Sequence, residues 1–215
     1  MIQIGELARV ISAQIMELDG MPILVAICGA ADLGKTHLTM QLVKELVKTG
    51  TSAAHLTIDS YLMDRAKRAA LGISGYQPEA YDLHMIKRDL LTFLSGGSIE
   101  YFPYDHAEGK ALPPSVTINP CQVLFLDGLH SLHENFRPHI KYSVFICTND
   151  DFLFKIRHRA DIEKRKQSVE FSKLNLENEI SAYKLHVEPY MCSANVVYEL
   201  KEQWQYELKA TAKET

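Results

Sequence analysis

The sequence is poor in cysteine, and its cysteines stand far apart. Four occur among 215 residues, and none forms a C-x-x-C pair; they are Cys28, Cys121, Cys147 and Cys192. Zinc ribbons and dithiol redox sites both require closely spaced thiols, so neither class of site is predicted. We expect these cysteines to be reduced and buried.

It also lacks a long hydrophobic run and an excess of charge of one sign. The longest apolar stretch, at about residues 21–31, is too short to span a bilayer, and no charged segment leads into an apolar one at the start. The 23 basic and 27 acidic residues give a net charge of −4, which offers no general attraction for nucleic acid or an anionic membrane. We therefore expect a cytoplasmic protein that binds neither.

Low-complexity linkers and internal repeats are missing as well. With 47% hydrophobic and 23% charged residues, a chain of 215 residues suits one domain with a sizeable core. We predict a single domain that spans residues 1–215.

What the sequence does contain is a phosphate-binding loop. An apolar run at residues 23–28 leads into G-x-x-x-x-G-K-T, from Gly29 to Thr36, and then into a helix. The glycines let backbone N–H groups turn toward a nucleotide's phosphates, Lys35 can reach the β- and γ-oxygens, and Thr36 can ligate Mg²⁺. A plain glycine-rich turn is the alternative. The predicted nucleotide-binding residues are Gly29, Ala30, Ala31, Asp32, Leu33, Gly34, Lys35, Thr36 and His37.

Two acidic residues follow predicted strands. The strand at residues 53–58 ends at Asp59, and the strand that begins at residue 122 ends at Asp127. Open α/β sheets bind ligands at the carboxyl ends of their strands, so Asp59 would face the same crevice as Lys35. Asp127 would hold Mg²⁺ as the acid usually called Walker B. A simple turn or capping role is the alternative for each acid.

Hydrophobic periodicity outlines the rest of the fold. Helices are predicted at residues 4–18 (across the edge of the first strand), directly after the phosphate-binding loop, and at 79–94, 150–166 and 172–188, and strands at 142–147 and 195–200. Residues 62–78 are predicted to be a helix that breaks into a mobile loop, and the last fifteen residues to be polar and peripheral. This order predicts an α/β P-loop NTPase with three α/β/α layers and a mainly parallel five-stranded sheet.

Two insertions complete this prediction. Residues 99–118 form the predicted β-hairpin flap, whose aromatic residues either cover a substrate or fill the core. Residues 150–170 form the predicted helical lid, which is rich in cations: Lys155, Arg157, Arg159, Lys164, Arg165 and Lys166. A lid arginine would neutralise charge on a transferred phosphoryl group, whereas the alternative is a solvated helix face.

Taken together, these segments resemble the uridine kinase and phosphoribulokinase family of P-loop kinases. D-S-Y at residues 59–61 resembles the family's D-S/D-F-Y, and P-E-A-Y-D at 78–82 resembles P-D/E-A-F-D. P-Y-D at 103–105 is similar to the flap motif P-x-Y-D, L-D-G-L-H at 126–130 to E-G-L-H, and residues 157–166 to the R-x-x-R-D-x-x-x-R-G-R lid. The order and spacing of these motifs carry the resemblance from residue 22 to residue 200.

The resemblance implies an ATP-dependent kinase, with Mg²⁺, that phosphorylates a hydroxyl of a small metabolite such as a nucleoside, a sugar, a sugar phosphate or a vitamin precursor. The family's corresponding Asp takes the proton of the acceptor hydroxyl, which assigns Asp59 as the base. The implied catalytic residues are Asp59, Lys35, Arg157 and Arg165; the metal ligands are Thr36 and Asp127; the acceptor-binding residues are Tyr61, Tyr76, Tyr104, Asp105, His130 and Arg159. The expected partner is the acceptor molecule, and a homo-oligomer is left open.

The chain departs from the family where the acceptor would bind. Tyr76 replaces a carboxylate of uridine kinases, and the flap motif that starts at Tyr104 lacks the family's histidine. These departures argue against uridine as the acceptor. Asp32 is also unusual inside a phosphate-binding loop, because a carboxylate there can face phosphate.

Two other functions remain as alternatives. A nucleotide-dependent switch or GTPase would need N-K-x-D after a later strand, but residues 148–151 are T-N-D-D. A nucleic-acid 5′-hydroxyl kinase would share the acceptor chemistry, but the acidic net charge argues against it.

A zinc site at His130, His133 and His139 would need a further carboxylate or cysteine, which the usual spacing does not supply.

Overall fold

A computed structural model of the chain describes residues 1–163 and 166–211. The strands are β1 (Ile2–Gln3), β2 (Ile23–Gly29), β3 (Ala53–Thr57), β4 (Ile99–Tyr101), β5 (Tyr104–Asp105), β6 (Lys110–Ala111), β7 (Val116–Ile118), β8 (Val123–Asp127), β9 (Ile140–Cys147), β10 (Val196–Lys201) and β11 (Gln205–Thr211). The helices are α1 (Ile4–Met16), α2 (Lys35–Lys48), α3 (Arg65–Leu71), α4 (Leu83–Leu94), α5 (Asp150–Glu163) and α6 (Val169–His186).

In the described part of the chain, seven strands form the central sheet, in the order β1-β11-β10-β9-β2-β8-β3. The five strands from β10 to β3 are parallel, as predicted. All seven residues of β2 are buried. Because successive side chains of a strand point to opposite faces, helices and loops cover both faces of the sheet. The predicted α/β fold class is therefore confirmed.

The prediction of five strands is wrong at one edge, where β11 and β1 add antiparallel strands. Residues 205–211 were expected to be peripheral, yet Tyr206 is fully buried. Its hydroxyl donates to the carbonyl oxygen of Leu33, 3.3 Å away, so this strand supports the phosphate-binding loop. No alternation of apolar residues marks this strand in the sequence, because Tyr206 is the only fully buried residue in β11.

Two predicted helices differ in placement or length. Helix α1 packs on α2 rather than across the edge of the first strand, because β2 lies between β8 and β9 and has no free edge. The helix predicted at residues 79–94 begins only at Leu83, since Pro78–Ala80 form a separate 3-10 turn. The carboxylate of Asp82 caps the helix by accepting from the backbone N–H of Met85 at 2.8 Å.

The flap and the helical lid both form. Strand β4 pairs with β7, and β5 pairs with β6, which makes the predicted hairpin of two short antiparallel ladders. Within residues 62–78 the predicted short helix is present as α3, which ends at Leu71 and is capped by Gly72 with a φ of 67°. In the lid, α5 ends at Glu163 and Ser168 caps α6. Lys164 and Arg165 lie outside the described residues.

The cysteines are free, but they are not all buried. Cys28 and Cys147 are buried, Cys121 is half-buried and Cys192 is exposed, so the expectation of burial is wrong for the last two. The helices of the described residues include none long and apolar enough to cross a membrane.

Candidate active site

The phosphate-binding loop joins β2 to α2 and has the backbone geometry of an anion cradle. Gly29 has a φ of 136°, and an added Cβ there would lie 2.0 Å from the carbonyl oxygen of Ile146. Only glycine fits this position. Lys35 is largely buried and its ammonium donates to the carbonyl oxygen of Ala30 at 2.7 Å, so the cation lies inside the loop.

The register of three neighbouring strands brings the predicted acids to this loop. Ile27 of β2 and Thr57 of β3 both pair with Asp127 of β8. Gly29, the last residue of β2, and Asp59, just after β3, therefore lie two residues beyond the level of Asp127. As predicted from the sequence, all three lie at the carboxyl edge of the sheet, where open α/β sheets bind ligands.

Asp127 has oxygen and nitrogen partners on both sides. Its Oδ2 accepts from the Thr36 hydroxyl at 2.6 Å, and its Oδ1 accepts from His55 Nε2 at 2.9 Å. Burial alone would raise the pKa of this carboxyl, but His55, Thr36 and nearby Lys35 hold it below the usual range. The carboxylate thus stays ionised beside a hydroxyl at the start of α2.

This pair of oxygen donors suits Mg²⁺, which is commonly bound by one or two protein oxygens together with phosphate and water. The hydroxyl and the carboxylate already lie in contact at the rim of the phosphate cradle. In residues 1–163 and 166–211, this site included, no group of three or more His, Cys, Asp or Glu side chains is arranged to hold a metal ion, so any Mg²⁺ here would need phosphate and water to complete its ligands.

Asp59 lies in the 3-10 turn Ile58–Tyr61 rather than at the strand end itself. Its backbone N–H donates to the Thr57 hydroxyl at 3.4 Å. The Asp59 carboxylate is about one-third exposed and contacts Nε2 of His106 in the flap at 3.2 Å. Asp59 is therefore accessible to a ligand at the sheet edge.

Arg157, a predicted catalytic cation, is enclosed by carboxylates. Its guanidinium donates to Asp32 and to Glu179 and lies 3.6 Å from Asp161. Burial alone would lower the pKa of Arg157, but Tyr76, Glu179 and Asp32 raise it above its ordinary value. Arg157 therefore reaches the phosphate-binding loop through Asp32, which accounts for the carboxylate in that loop.

The predicted acceptor-binding tyrosines divide between two places. The Tyr61 hydroxyl donates to Asp89 of α4 at 2.9 Å, so it is held by α4. Tyr104 lies in the flap, where its ring packs on His106 at 5.2 Å and its hydroxyl accepts from Arg68 at 3.3 Å. Of the two, only Tyr104 contacts a partner of Asp59.

Two further predicted acceptor-binding residues, Tyr76 and His130, are buried. Tyr76 is 8% exposed, and its carbonyl oxygen accepts from His130 Nε2 at 3.0 Å. His130 was expected to approach the acceptor, but its side chain has no exposed surface. It also accepts from the Tyr190 hydroxyl at 3.1 Å and packs edge-on against Tyr81. His130 supports the residues around the site and touches no solvent-filled space.

The remaining predicted residues lie at the periphery. Asp105 accepts from the backbone N–H groups of Ala107 and Glu108, which close the flap turn and lower the pKa of the Asp105 carboxyl. Arg159 is exposed on α5 and pairs with Glu163 at 2.9 Å. His37 is exposed on α2 beside Gln41, and Arg165 lies outside the described residues.

Two clefts flank these groups. One, of about 500 Å³, lies between α5 and the turn before β11 and is lined by Asp32, Phe152, Ile156, Arg159 and Trp204. The Trp204 ring lies against the phosphate-binding loop, because a Cβ added to Gly34 would lie 3.5 Å from it. The other cleft, of about 720 Å³, is lined by Ser60 and Tyr61, which directly follow Asp59 in its turn, and by residues 78–85.

Three residues of the site were missed in the sequence. His55 and Trp204 belong to no motif, and only the fold brings them to Asp127 and Gly34. His106 had a usable signal, because it directly follows the flap's Tyr104 and Asp105 and a histidine was expected nearby.

Comparisons with known proteins agree with this geometry. The model of the phosphoribulokinase / uridine kinase family matches residues 24–204. The chain is similar to a uridine kinase of Leuconostoc citreum, with 27% identity over 155 residues, 69% of this chain and 72% of that protein. It is also similar to the chloroplastic phosphoribulokinase of Spinacia oleracea, with 23% identity over 143 residues, 66% of this chain and 35% of that enzyme.

The structure of D-glycerate 3-kinase from Cryptococcus neoformans has a similar fold, with a TM-score of 0.67 and 13% identity, covering 95% of this chain and 97% of that one. The family model spans most of the chain and includes the phosphate-binding loop, Asp59, Asp127 and the lid helix α5. The protein is a small-metabolite P-loop kinase, and the chain belongs to the phosphoribulokinase / uridine kinase family.

Proposed function

We propose that the protein transfers the γ-phosphoryl group of ATP to a hydroxyl of a small metabolite. One observation carries this proposal: the register of β2, β8 and β3, which pairs Ile27 and Thr57 with Asp127, puts the carboxyl ends of three adjacent parallel strands at one edge of the sheet. Asp127 ends β8, Asp59 lies two residues beyond β3, and Lys35 opens the helix that follows β2. This edge would thus combine a phosphate cradle, an acid suited to Mg²⁺ and an exposed carboxylate. These are the parts that phosphoryl transfer to an alcohol requires.

The nucleotide fits the loop between β2 and α2. Its phosphates would take the N–H groups of the loop and the dipole of α2, and Lys35 would exchange the carbonyl oxygen of Ala30 for phosphate oxygens. The base would lie in the apolar cleft between α5 and Trp204. Thr36 and Asp127 would hold Mg²⁺, which neutralises charge on the phosphates.

Asp59 is the proposed base. ATP supplies the phosphoryl group, so that the acceptor oxygen bonds to phosphorus as ADP leaves with the electron pair. The carboxylate of Asp59 accepts the proton of the acceptor hydroxyl and orients that oxygen toward the phosphate-binding loop. Lys35 offsets the charge that develops during transfer.

The acceptor would lie between Asp59 and the flap, so its identity depends on residues 62–78 and 99–118, which differ most from the family motifs. The relatives act, by their names, on uridine, a ribulose phosphate and D-glycerate. Each of these classes offers a free hydroxyl. We propose no nucleic acid or membrane as a partner.

ADP formation from ATP and Mg²⁺ tests this function with a panel of acceptors: uridine, ribose, ribulose 5-phosphate, D-glycerate and pantothenate. We expect at least one acceptor to stimulate ADP formation well above the acceptor-free rate. GTP runs in parallel, because a switch protein would prefer GTP and hydrolyse it without an acceptor. An acceptor-independent GTPase, or a rate that no acceptor changes, contradicts the proposal.

A further inference from the structure

The tip of the flap, residues 106–110, docks on the first residue of α3. The backbone N–H of Arg65 donates to the carbonyl oxygen of Gly109 at 2.7 Å. The Arg65 guanidinium donates to the carbonyl oxygens of His106 and Ala107. Three contacts from one residue therefore fix the flap tip relative to α3.

The flap tip is also internally ordered. Asp105 Oδ1 accepts from the backbone N–H groups of Ala107 and Glu108 at 2.7 and 3.0 Å. The backbone N–H of Gly109 donates to the carbonyl oxygen of Asp105 at 2.7 Å. The docked tip thus presents the side chain before the turn, His106, in a defined direction.

That direction leads to Asp59. His106 Nε2 lies 3.2 Å from Asp59 Oδ2, and the Tyr104 ring packs edge-on against the imidazole at 5.2 Å. The Tyr104 hydroxyl in turn accepts from Arg68 of α3 at 3.3 Å. Two arginines of α3 therefore hold His106, which contacts the proposed base, and Tyr104, which packs against His106.

We propose that His106 is the positioning residue for Asp59, and that Arg65 docks the flap so that this pair forms. This inference rests on the proposed function of Asp59. The Nε2–H of His106 donates to Oδ2, which leaves Oδ1 to accept the proton of the acceptor hydroxyl. Docking of the flap tip on Arg65 would therefore also orient the carboxylate of Asp59.

The pair is worth little as an exposed contact for stability, because the His106 side chain is 62% exposed. The His106–Asp59 contact matters instead because it fixes the orientation of the Asp59 carboxylate. A carboxylate that rotates freely spends only part of its time with an oxygen aimed at the acceptor, and misplacement of a catalytic group lowers turnover rather than binding. The expected signature is therefore a fall in kcat.

The first measurement needs no acceptor. Amide hydrogen exchange of the flap tip is compared in the wild type, His106→Ala, Arg65→Ala and the control His139→Asn. His139 directly precedes β9, at the amino end of the sheet and opposite the site. We expect faster exchange at residues 106–110 in both flap variants and no change in the control. Unchanged exchange in both flap variants overturns the docking step.

The second measurement uses ATP and whichever panel acceptor the wild type phosphorylates. We expect His106→Ala to lower kcat at least about tenfold with the KM for ATP unchanged, the size of effect that misplacing a catalytic group produces. His106→Gln can place an amide N–H near the same point, and we expect it to recover most of the loss.

The failures of the two proposals are distinguishable. A wild type that phosphorylates no acceptor contradicts the kinase assignment, and with it the positioning role. An active wild type whose His106→Ala variant turns over as fast or faster overturns the positioning role alone, because the flap contact would then only cover Asp59. Equal losses in His106→Gln and His106→Ala contradict it as well.

Discussion

Asp32, inside the phosphate-binding loop, accepts a hydrogen bond from the guanidinium of Arg157 in the lid helix α5. Their side chains are 10% and 4% exposed. A carboxylate in this loop would repel phosphate if its charge were not offset. The guanidinium supplies that offset and ties the lid to the loop.

We expect Arg157→Met to raise the Kd for ATP about tenfold or more, a change of about 1.4 kcal/mol, because it removes the positive charge that faces Asp32. Isothermal titration calorimetry with ATP and Mg²⁺ measures the change. The double variant Asp32→Asn/Arg157→Met should bind more tightly than Arg157→Met alone, since it removes the negative charge as well.

The matched control is Lys184→Met, which breaks an exposed ion pair with Asp150 between the same two lid helices. Exposed pairs contribute little, so its affinity for ATP should equal that of the wild type. If Arg157→Met also binds ATP with wild-type affinity, the guanidinium does not offset the charge in the loop.

Asp59→Asn should abolish turnover and leave nucleotide affinity nearly intact. A general base contributes about 10²–10⁴-fold to the rate, and the amide cannot accept the proton. The measurements are steady-state ADP formation with a productive acceptor and calorimetric ATP binding. Asp64→Asn, an exposed carboxylate five residues further on, is the control and should keep its rate. A rate for Asp59→Asn above about a tenth of the wild type would falsify the assignment.

The parts that the sequence predicts well are local in the chain. The apolar run of β2, the glycine spacing that ends in Lys35, and the acids after β3 and β8 each follow from a few neighbouring residues. Because parallel strands present their carboxyl ends together, these local patterns also predict that the loop and the two acids lie at one edge of the sheet.

The parts that could not be predicted are pairings across long chain separations. Asp32 meets Arg157 across 125 positions, and Asp127 meets His55 across 72. No spacing rule connects such residues, since the packing of α5 and the register of β3 decide them. Strand β11 could not be predicted either, because only Tyr206 in it is fully buried and its sequence shows no alternation of apolar and polar residues.

Trp204 offers a direct optical readout of nucleotide binding. It is the single tryptophan of the sequence, and it lines the cleft beside the phosphate-binding loop. Base stacking on its ring should quench the intrinsic fluorescence, saturably, when ATP is added with Mg²⁺. Lys35→Ala should shift this titration to higher ATP concentrations, because it removes the phosphate contact and leaves the tryptophan in place. If tryptophan fluorescence does not change on addition of ATP while calorimetry shows binding, the nucleotide base does not stack on Trp204.

His130 should make the stability of the fold depend on pH in a defined window. Burial lowers the pKa of His130 to about 3, although the carbonyl oxygen of Tyr76 opposes this by accepting from Nε2. An unfolded histidine has a pKa of about 6.5. Between these two values the unfolded chain binds a proton that the folded chain does not, so the free energy of unfolding falls as the pH falls.

The share due to this one group is at most about 1.4 kcal/mol per pH unit. Denaturant unfolding of the wild type and of His130→Gln at pH 7, 6 and 5 isolates it. The variant should be less stable at pH 7, because glutamine cannot reproduce the packing of the buried imidazole against Tyr81 and Tyr190. Since the glutamine does not titrate, the difference in the free energy of unfolding between variant and wild type should narrow toward pH 5. The exposed His84→Gln is the control and should follow the wild type. A gap that stays constant across this range would mean that His130 takes up its proton in the folded chain as readily as in the unfolded one.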